Sequence, residues 1–344
     1  MSAALRHYEV RVRPTEYGLC AQLVRHGPSD IQAMAKGRSI EDVVPLAGAL
    51  FPICPRAHQW AALNALEQAI GIELPSGQAH ARDIVILAEA LASCVWRSGL
   101  DWSKLLGKPP MIEAVKGARA ASEALTHSLF SQGWTRIGGA ELTVDQAAIT
   151  DAIDVLAGQL DQVFGILPDL IDASRSITVS ALTAAGCSLR PEAFAGEVSP
   201  ETHTHEETPR SLVHPEARSV TLQDWFVAQA EHGWHLLASL RGHAAALEPS
   251  APSSERVRAS GTGLGLAMTA RGRLRHQVQV QEGKIEDWQV VAPTDWNFAP
   301  SGSLVQYLNG LQTKAPDSTA KWLVAALDPC APCAVVLEEE LAHA

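Results

Sequence analysis

Four residues whose types and spacing suit metal binding lie far apart in this 344-residue chain. Cys54 precedes His58 by four positions in FPICPRAH, and Cys330 and Cys333 form a C-x-x-C pair in DPCAPC. A C-x-x-C turn lets two thiolates converge on one soft metal ion, although such turns also serve as redox pairs or as plain structural turns. Residues four apart share one helix face, so Cys54 and His58 alone are more typical of a buried thiol beside a packed histidine.

Other polar patterns are less specific. His203 and His205 in THTHEE could bind a divalent metal, but an acidic histidine-rich loop is more often solvated surface. The GTGLG run at 261–265 resembles a dinucleotide-binding glycine loop without its preceding strand or its spacing. Arg271 and the Pro293-Thr294 pair bracket a predicted hairpin, where their donors would suit a small anionic ligand. The alternative is a surface arginine and an ordinary strand end.

The elements that must position these residues follow from hydrophobic periodicity. Apolar residues recur at helical spacing over residues 58–73, 82–100, 111–130, 143–166 and about 222–247. Thr143 and Thr221 are the predicted caps of the last two helices. Residues 6–13 alternate as a strand does, and the stretch from Leu274 to Thr294 predicts a β-hairpin with a glycine in its turn.

These patterns predict an α+β fold in which a bundle of long helices carries a small antiparallel sheet. We expect a single domain over residues 1–344, with a flexible surface loop at 190–217, where prolines are frequent and apolar residues are few.

Composition limits the classes of function. The formal net charge is −11 and the basic residues do not cluster, which argues against a nucleic-acid partner. No run is apolar enough to span a membrane, and the N-terminus lacks a secretory signal, so we expect a cytoplasmic protein. Six cysteines are too few for a disulfide scaffold. Cys20, Cys94 and Cys187 have apolar neighbours and are predicted to be small core residues.

Three segments together resemble the large subunit of nickel–iron hydrogenases. That family has an R-x-C-G-x-C-x-x-x-H motif near its start, an E-A-P-R-G segment with a hairpin ending in P-T-x-W-N, and a D-P-C-x-x-C-x-x-H motif near its end. This chain has ALFPICPRAH, TARGRLRHQVQVQEGKIEDWQVVAPTDWN and DPCAPCAVV in the same order. The resemblance implies the large-subunit fold, which brings both ends of the chain to one metal site.

Departures from the motifs are as informative as the matches. The first cysteine of the N-terminal motif is Phe51, and its arginine and glycine are Ala49 and Pro52. The family's proton-transfer glutamate falls at Gln32, and its last histidine at Val336. The resemblance therefore implies that one thiolate that binds nickel alone is lost.

The remaining positions of the family site are retained. By resemblance, Cys54 and Cys333 are the thiolates that hold iron, and Cys330 is a remaining nickel ligand. The resemblance also implies that His58 supports a bridging thiolate and that Arg271, Pro293 and Thr294 surround the diatomic ligands of the iron. It therefore implies a retained pocket for an Fe(CN)2(CO) unit, with no nickel expected.

This pattern is similar to that of hydrogenase-formation proteins of the HupK and HoxV type, which are degenerate relatives of the large subunit. The resemblance implies an assembly scaffold that is not an enzyme and that holds the iron unit transiently. The implied partners are the maturation factors that supply this unit and the hydrogenase large-subunit precursor that receives it.

Three other functions stay open at this point. A divergent hydrogenase or hydrogen sensor would need the nickel site that Phe51 interrupts. A metal-free interaction protein or chaperone would have no use for Arg271 and Thr294 beside the cysteines. A zinc protein would use Cys54, Cys330 and Cys333, with His58 as a fourth ligand.

Overall fold

A computed structural model describes residues 7–27, 31–175, 182–183, 207–214, 219–253 and 258–338. In chain order the elements of its first half are β1 (His7–Thr15), β2 (Gly18–His26), α1 (Ile31–Ala35), α2 (Ile40–Leu50), α3 (Pro55–Ile70), α4 (Ser76–Trp96), a π-helical turn (Arg97–Trp102), α5 (Ser103–Leu105), α6 (Ile112–Leu129), α7 (Gln146–Phe164) and α8 (Leu167–Arg175). Those of the second half are β3 (Leu182–Thr183), α9 (Pro209–Val213), β4 (Ser219–Val220), α10 (Leu222–Ala245), β5 (Gly261–Thr269), β6 (Gly272–Gln281), β7 (Lys284–Val291), α11 (Pro293–Asn297), α12 (Ser303–Leu308), α13 (Pro316–Leu327) and β8 (Cys333–Leu337).

The predicted α+β class is confirmed. The long helices α3, α4, α6, α7 and α10 bury apolar faces in one continuous core, as their periodicity predicts. The predicted hairpin is β6 and β7, which pair antiparallel, and β5 extends it to the order β5-β6-β7. A second sheet in the described residues, of order β2-β1-β8, is mixed and not antiparallel, because β8 runs parallel to β1.

Pairing of β1 with β8 brings the two ends of the chain together. Tyr8 lies opposite Cys333, and the Tyr8 N–H donates to the Pro332 carbonyl at 2.8 Å. Backbone pairing with β1 therefore fixes the position of the segment that carries the C-terminal cysteines.

The GTGLG run is a strand that lies directly on α3. A methyl group at Gly263 would come within 1.9 Å of the Ala65 carbonyl oxygen, and one at Gly265 within 1.9 Å of the Ala61 carbonyl oxygen. Glycines two apart on the strand thus face alanines four apart on the helix, which lets the two backbones touch. The glycines serve packing, so the similarity to a nucleotide loop has no functional meaning.

Several boundaries differ from the sequence predictions. Helix α4 ends at Trp96 and the chain then widens into the π-helical turn, where one continuous helix to residue 100 was expected. Thr221 caps α10 as predicted, with Asp224 completing a capping box. The cap of α7 is Asp145, whose carboxylate accepts from the Ala148 N–H, and not Thr143.

The predicted surface loop at 190–217 falls mostly outside the described residues, as do His203, His205 and Cys187. Its described part, 207–214, contains α9 and is largely buried, and Glu207 forms an ion pair with Arg273 of β6. This part is not a surface loop. Cys94 lies in the core as predicted, but Cys20 is exposed, so that prediction was wrong. Along the described ranges, no helix has the length and hydropathy needed to cross a membrane.

Candidate functional site

The first cysteine lies at the N-terminal end of α3. Cys54 occupies the N-cap position and Pro55 the first helical position, where a missing N–H costs nothing. The next two backbone N–H groups, of Arg56 and Ala57, each donate to the Glu89 carboxylate of α4 at 2.9 Å. Glu89 therefore anchors the turn that presents the Cys54 thiol.

The C-terminal cysteines are held by the end of the hairpin. The Cys330 N–H donates to the Thr294 hydroxyl oxygen at 2.8 Å, which joins the DPCAPC turn to the first residues of α11. Two residues earlier, Asp328 ends α13 in a left-handed conformation with φ of 46°. Cys333 then begins β8 and contributes to the wall of a cleft.

Two buried arginines bracket Asp328. The Arg97 Nη1 donates to Asp328 Oδ2 at 2.6 Å, and the Arg271 Nη2 donates to Asp328 Oδ1 at 3.3 Å. Arg271 also donates to the Ser93 hydroxyl at 2.9 Å. Two guanidinium groups on one carboxylate leave this cluster with a net positive charge of its own, which favours an anionic ligand.

Three thiols lie within electrostatic reach of Arg271, namely Cys54, Cys94 and Cys330. Burial raises the pKa of Cys54 well above its usual range, and the nearby Cys330 adds to the shift. Burial also raises the pKa of Cys333 to about 12. The Cys54 and Cys333 thiols are therefore protonated near neutral pH, and binding a metal through them would release protons.

No preformed metal cage is present in the parts of the chain that the structure describes. Within them, no three His, Cys, Asp or Glu side chains are arranged to hold a metal ion. The charge of Cys330 acts on Cys54, so these two thiols lie near each other.

A chain of buried rings runs from the hairpin to α3. The Trp288 indole N–H donates to His276 Nδ1 at 3.1 Å, and His276 Nε2 lies 2.9 Å from His58 Nδ1. The Phe51 ring stacks on the other side of this contact, with its centroid 3.6 Å from that of His58 and the planes within 6°. Phe51 thus fills space beside the histidine where the resemblance would place a thiolate.

A cleft of about 980 Å³ opens beside Cys333. Its wall includes Glu89, Arg97, Arg271, Asp328 and Cys333. A volume of this size is large enough for a ligand far bigger than one metal ion. Access to the candidate site from solvent is therefore built into the fold.

The structure brings together most of the residues singled out from sequence. Arg271, Thr294, Cys54 and Cys330 converge, and His58 is joined to the hairpin through His276. Pro293 is buried as the first residue of α11. The sequence reasoning missed Arg97, Asp328, Cys94 and Glu89. A lone arginine after the apolar helix at 82–96 was the available signal for Arg97.

Comparison with known proteins shows what this chain is similar to. Residues 211–336 match the family described as nickel-dependent hydrogenase. The whole chain is 27% identical to the hydrogenase expression/formation protein HupK of Azotobacter vinelandii, over 98% of each chain. It is 29% identical to the hydrogenase expression/formation protein HupV of Azotobacter chroococcum mcd 1, over 92% of each. The chain is a homologue of the HupK-type hydrogenase formation proteins.

Solved structures agree with this homology at the level of the fold. The reduced, active Ni-Fe-Se hydrogenase from Desulfomicrobium baculatum superposes with a TM-score of 0.65, covering 93% of this chain and 95% of that chain at 15% identity. The α+β architecture of this HupK-type homologue is therefore that of a hydrogenase large subunit.

Proposed function

We propose that this chain is an accessory scaffold in the formation of nickel–iron hydrogenases. It holds an Fe(CN)2(CO) unit transiently on Cys54 and Cys333, and then delivers it to the hydrogenase large subunit. Maturation factors that make the iron unit are its donors, and the large-subunit precursor is its acceptor. The protein works as a carrier in the cytoplasm and does not turn over hydrogen.

The observation that carries this proposal is the combination of Phe51 with the retained surroundings of the iron ligands. Phe51 has no lone pair to donate and its ring is fixed against His58. Arg271 and Thr294 nevertheless remain beside the cysteine turns. Arg97, Arg271 and Asp328 together carry a net positive charge in the wall of the cleft. Cyanide on iron is an anionic acceptor, so it is stabilised by guanidinium and hydroxyl donors.

The protonated state of the thiols fits a carrier better than a permanent metal site. Cys54 lies at the start of α3 and Cys333 in a strand that pairs with β1, and burial raises the pKa of both. Binding a metal must therefore displace two protons, which lowers the affinity near neutral pH and favours release.

The test is infrared spectroscopy with metal analysis on protein purified anaerobically from a host that expresses the hydrogenase maturation machinery. Two cyanide bands and one carbonyl band, with iron and without nickel, are expected. The Cys54→Ala variant should lose the bands, whereas Cys20→Ala, which changes an exposed cysteine, should keep them. A blank spectrum from fresh, folded protein would instead support a metal-free interaction protein.

A further inference from the structure

A three-ring hydrogen-bond chain, Trp288–His276–His58, lies wholly inside the protein. The exposed fractions of the side chains are 1% for Trp288 and 0% for both histidines. The indole nitrogen can only donate, so His276 Nδ1 must accept and carries no proton. The direction of this hydrogen bond determines where the remaining protons of the three-ring chain lie.

His276 is a neutral ring. Burial lowers its pKa to about 3, so it holds one proton at physiological pH. With Nδ1 occupied as an acceptor, that proton is on Nε2, which lies 2.9 Å from His58 Nδ1. His276 therefore donates and His58 accepts.

The consequence for His58 is a fixed tautomer. Its Nδ1 receives a proton from His276 and cannot carry one of its own, so the ring proton of neutral His58 is on Nε2. A doubly protonated His58 would place two N–H groups against each other across 2.9 Å. The stacked Phe51 ring covers one face of His58 and limits rotation that would exchange the two nitrogens.

We propose that Trp288 is a positioning residue that acts through His276 to fix His58 as an Nε2–H hydrogen-bond donor and to prevent it from acting as a base. His58 lies one turn after Cys54 on α3, with its N–H bonded to the Cys54 carbonyl. In this proposal the Cys54 sulfur accepts from the ring N–H of His58 when that sulfur is a thiolate. This last step rests on the proposed function, because only metal binding makes Cys54 a thiolate.

The proposal has a chemical consequence. Metal binding must remove the proton of Cys54, and because a His58 already protonated on Nε2 cannot take it, the proton passes to solvent. The side chain instead donates to the thiolate, which lowers the electron density on sulfur and its donation to the metal.

The first experiment needs no metal. Long-range proton–nitrogen spectra of the metal-free chain, with nitrogen-15 in the histidine rings, report which nitrogen carries the proton. Wild type should show the Nε2–H tautomer for His58 and His276 throughout pH 6 to 8. A wild-type signal from His58 protonated on Nδ1 would overturn the proposal, whatever happens to the variants.

Variants then test the role of Trp288. Trp288→Phe keeps an aromatic ring but removes the donor, so the two histidines should become mixtures of tautomers. Trp234→Phe is the matched control, since Trp234 is 40% exposed, and it should leave both spectra unchanged. Unchanged tautomers in Trp288→Phe would also refute the proposed role.

Infrared spectra separate this inference from the proposed function. If the iron unit is present, Trp288→Phe should retain the bands and move the carbonyl band to lower wavenumber, because the thiolate donates more strongly. Bands that stay in place would refute the link from Trp288 to the Cys54 sulfur. Correct tautomers with no bands in any preparation would leave the fixed donor standing and refute the iron cargo.

Discussion

Phe51 and His58 stack face to face, with ring centroids 3.6 Å apart and planes within 6°. The two side chains come from different elements, since Phe51 ends α2 and His58 lies in the first turns of α3. The stack therefore closes the Phe51–His58 turn around Cys54. It is also the structural feature that most clearly distinguishes this site from one with four thiolates.

The stack should contribute to stability. Replacing Phe51 with leucine removes the ring contact while keeping an apolar side chain, and should lower the free energy of unfolding by about 0.5–1.5 kcal/mol. Urea unfolding followed by circular dichroism measures the change. Tyr17→Leu is the control, because Tyr17 is 80% exposed and its loss should have little effect. Equal effects in the two variants would show that the stack is energetically irrelevant.

The cysteines should contribute unequally to iron retention. Cys54→Ala and Cys333→Ala should abolish retention, because both are proposed iron ligands, whereas Cys330→Ala should weaken it less. Arg271→Ala should keep part of the iron but broaden the cyanide bands, since a donor to the diatomic ligands is lost. Iron content per chain and the infrared bands are the measurements. Equal retention in all four variants would contradict the proposed site.

Arg97 should stabilise the turn at Asp328. Arg97→Met removes a buried hydrogen bond between charged groups but leaves Asp328 paired with Arg271, so it should lower the free energy of unfolding by about 1.5–3 kcal/mol. Arg119→Met, in an exposed side chain of the same cleft, should change the free energy of unfolding by less than about 0.5 kcal/mol. Chemical unfolding of both variants provides the comparison. A stability loss in Arg97→Met no larger than in Arg119→Met would contradict the assigned pairing.

Close backbone contact between β5 and α3 should forbid a side chain at Gly263. In Gly263→Ala the new methyl would lie 1.9 Å from the Ala65 carbonyl oxygen, so the strand must move and the protein should lose about 2 kcal/mol or more. The same change at Gly158, a helical position with open space around it, should stabilise by about 0.5–1 kcal/mol. Thermal unfolding distinguishes the two signs, and a tolerated Gly263→Ala would mean that the contact is loose.

Stability should decrease in acid partly through His232. Burial lowers the pKa of His232 to about 4, and its Nε2–H donates to the Thr269 carbonyl at 2.9 Å. Above pH 6.5 the ring is neutral in both states and the full stability is present. Below that pH the unfolded chain gains a proton first, so stability falls by up to about 1.4 kcal/mol per pH unit until about pH 4.

The His232→Gln variant isolates this contribution. Glutamine can still donate to Thr269 but does not titrate, so the variant should lose less stability than wild type between pH 7 and pH 5. Comparing the two proteins at each pH cancels the opposite effect of Asp83, whose pKa burial raises to about 6. An identical pH dependence in both proteins would show that His232 is not the titrating group.

Local patterns were sufficient for the elements and singled out several residues that lie close together in the fold. Helical periodicity located α3, α4, α6, α7 and α10, and alternation located the hairpin, because each element buries one face in the core. The cysteine, arginine and threonine motifs also drew attention to Cys54, Cys330, Arg271 and Thr294, which the fold brings together. Element ends were less predictable, since a cap such as Asp145 competes with near neighbours of similar propensity.

Only the tertiary structure decided which distant groups pair. Asp328 faces Arg97 across 231 positions of sequence, and His58 meets His276 across 218. No periodicity encodes such contacts, because they depend on how α3, α4 and the hairpin pack. The sequence by itself determined which residues could do chemistry. Packing decided their protonation and their partners, because burial removes water and leaves each polar atom only the neighbours that the fold provides.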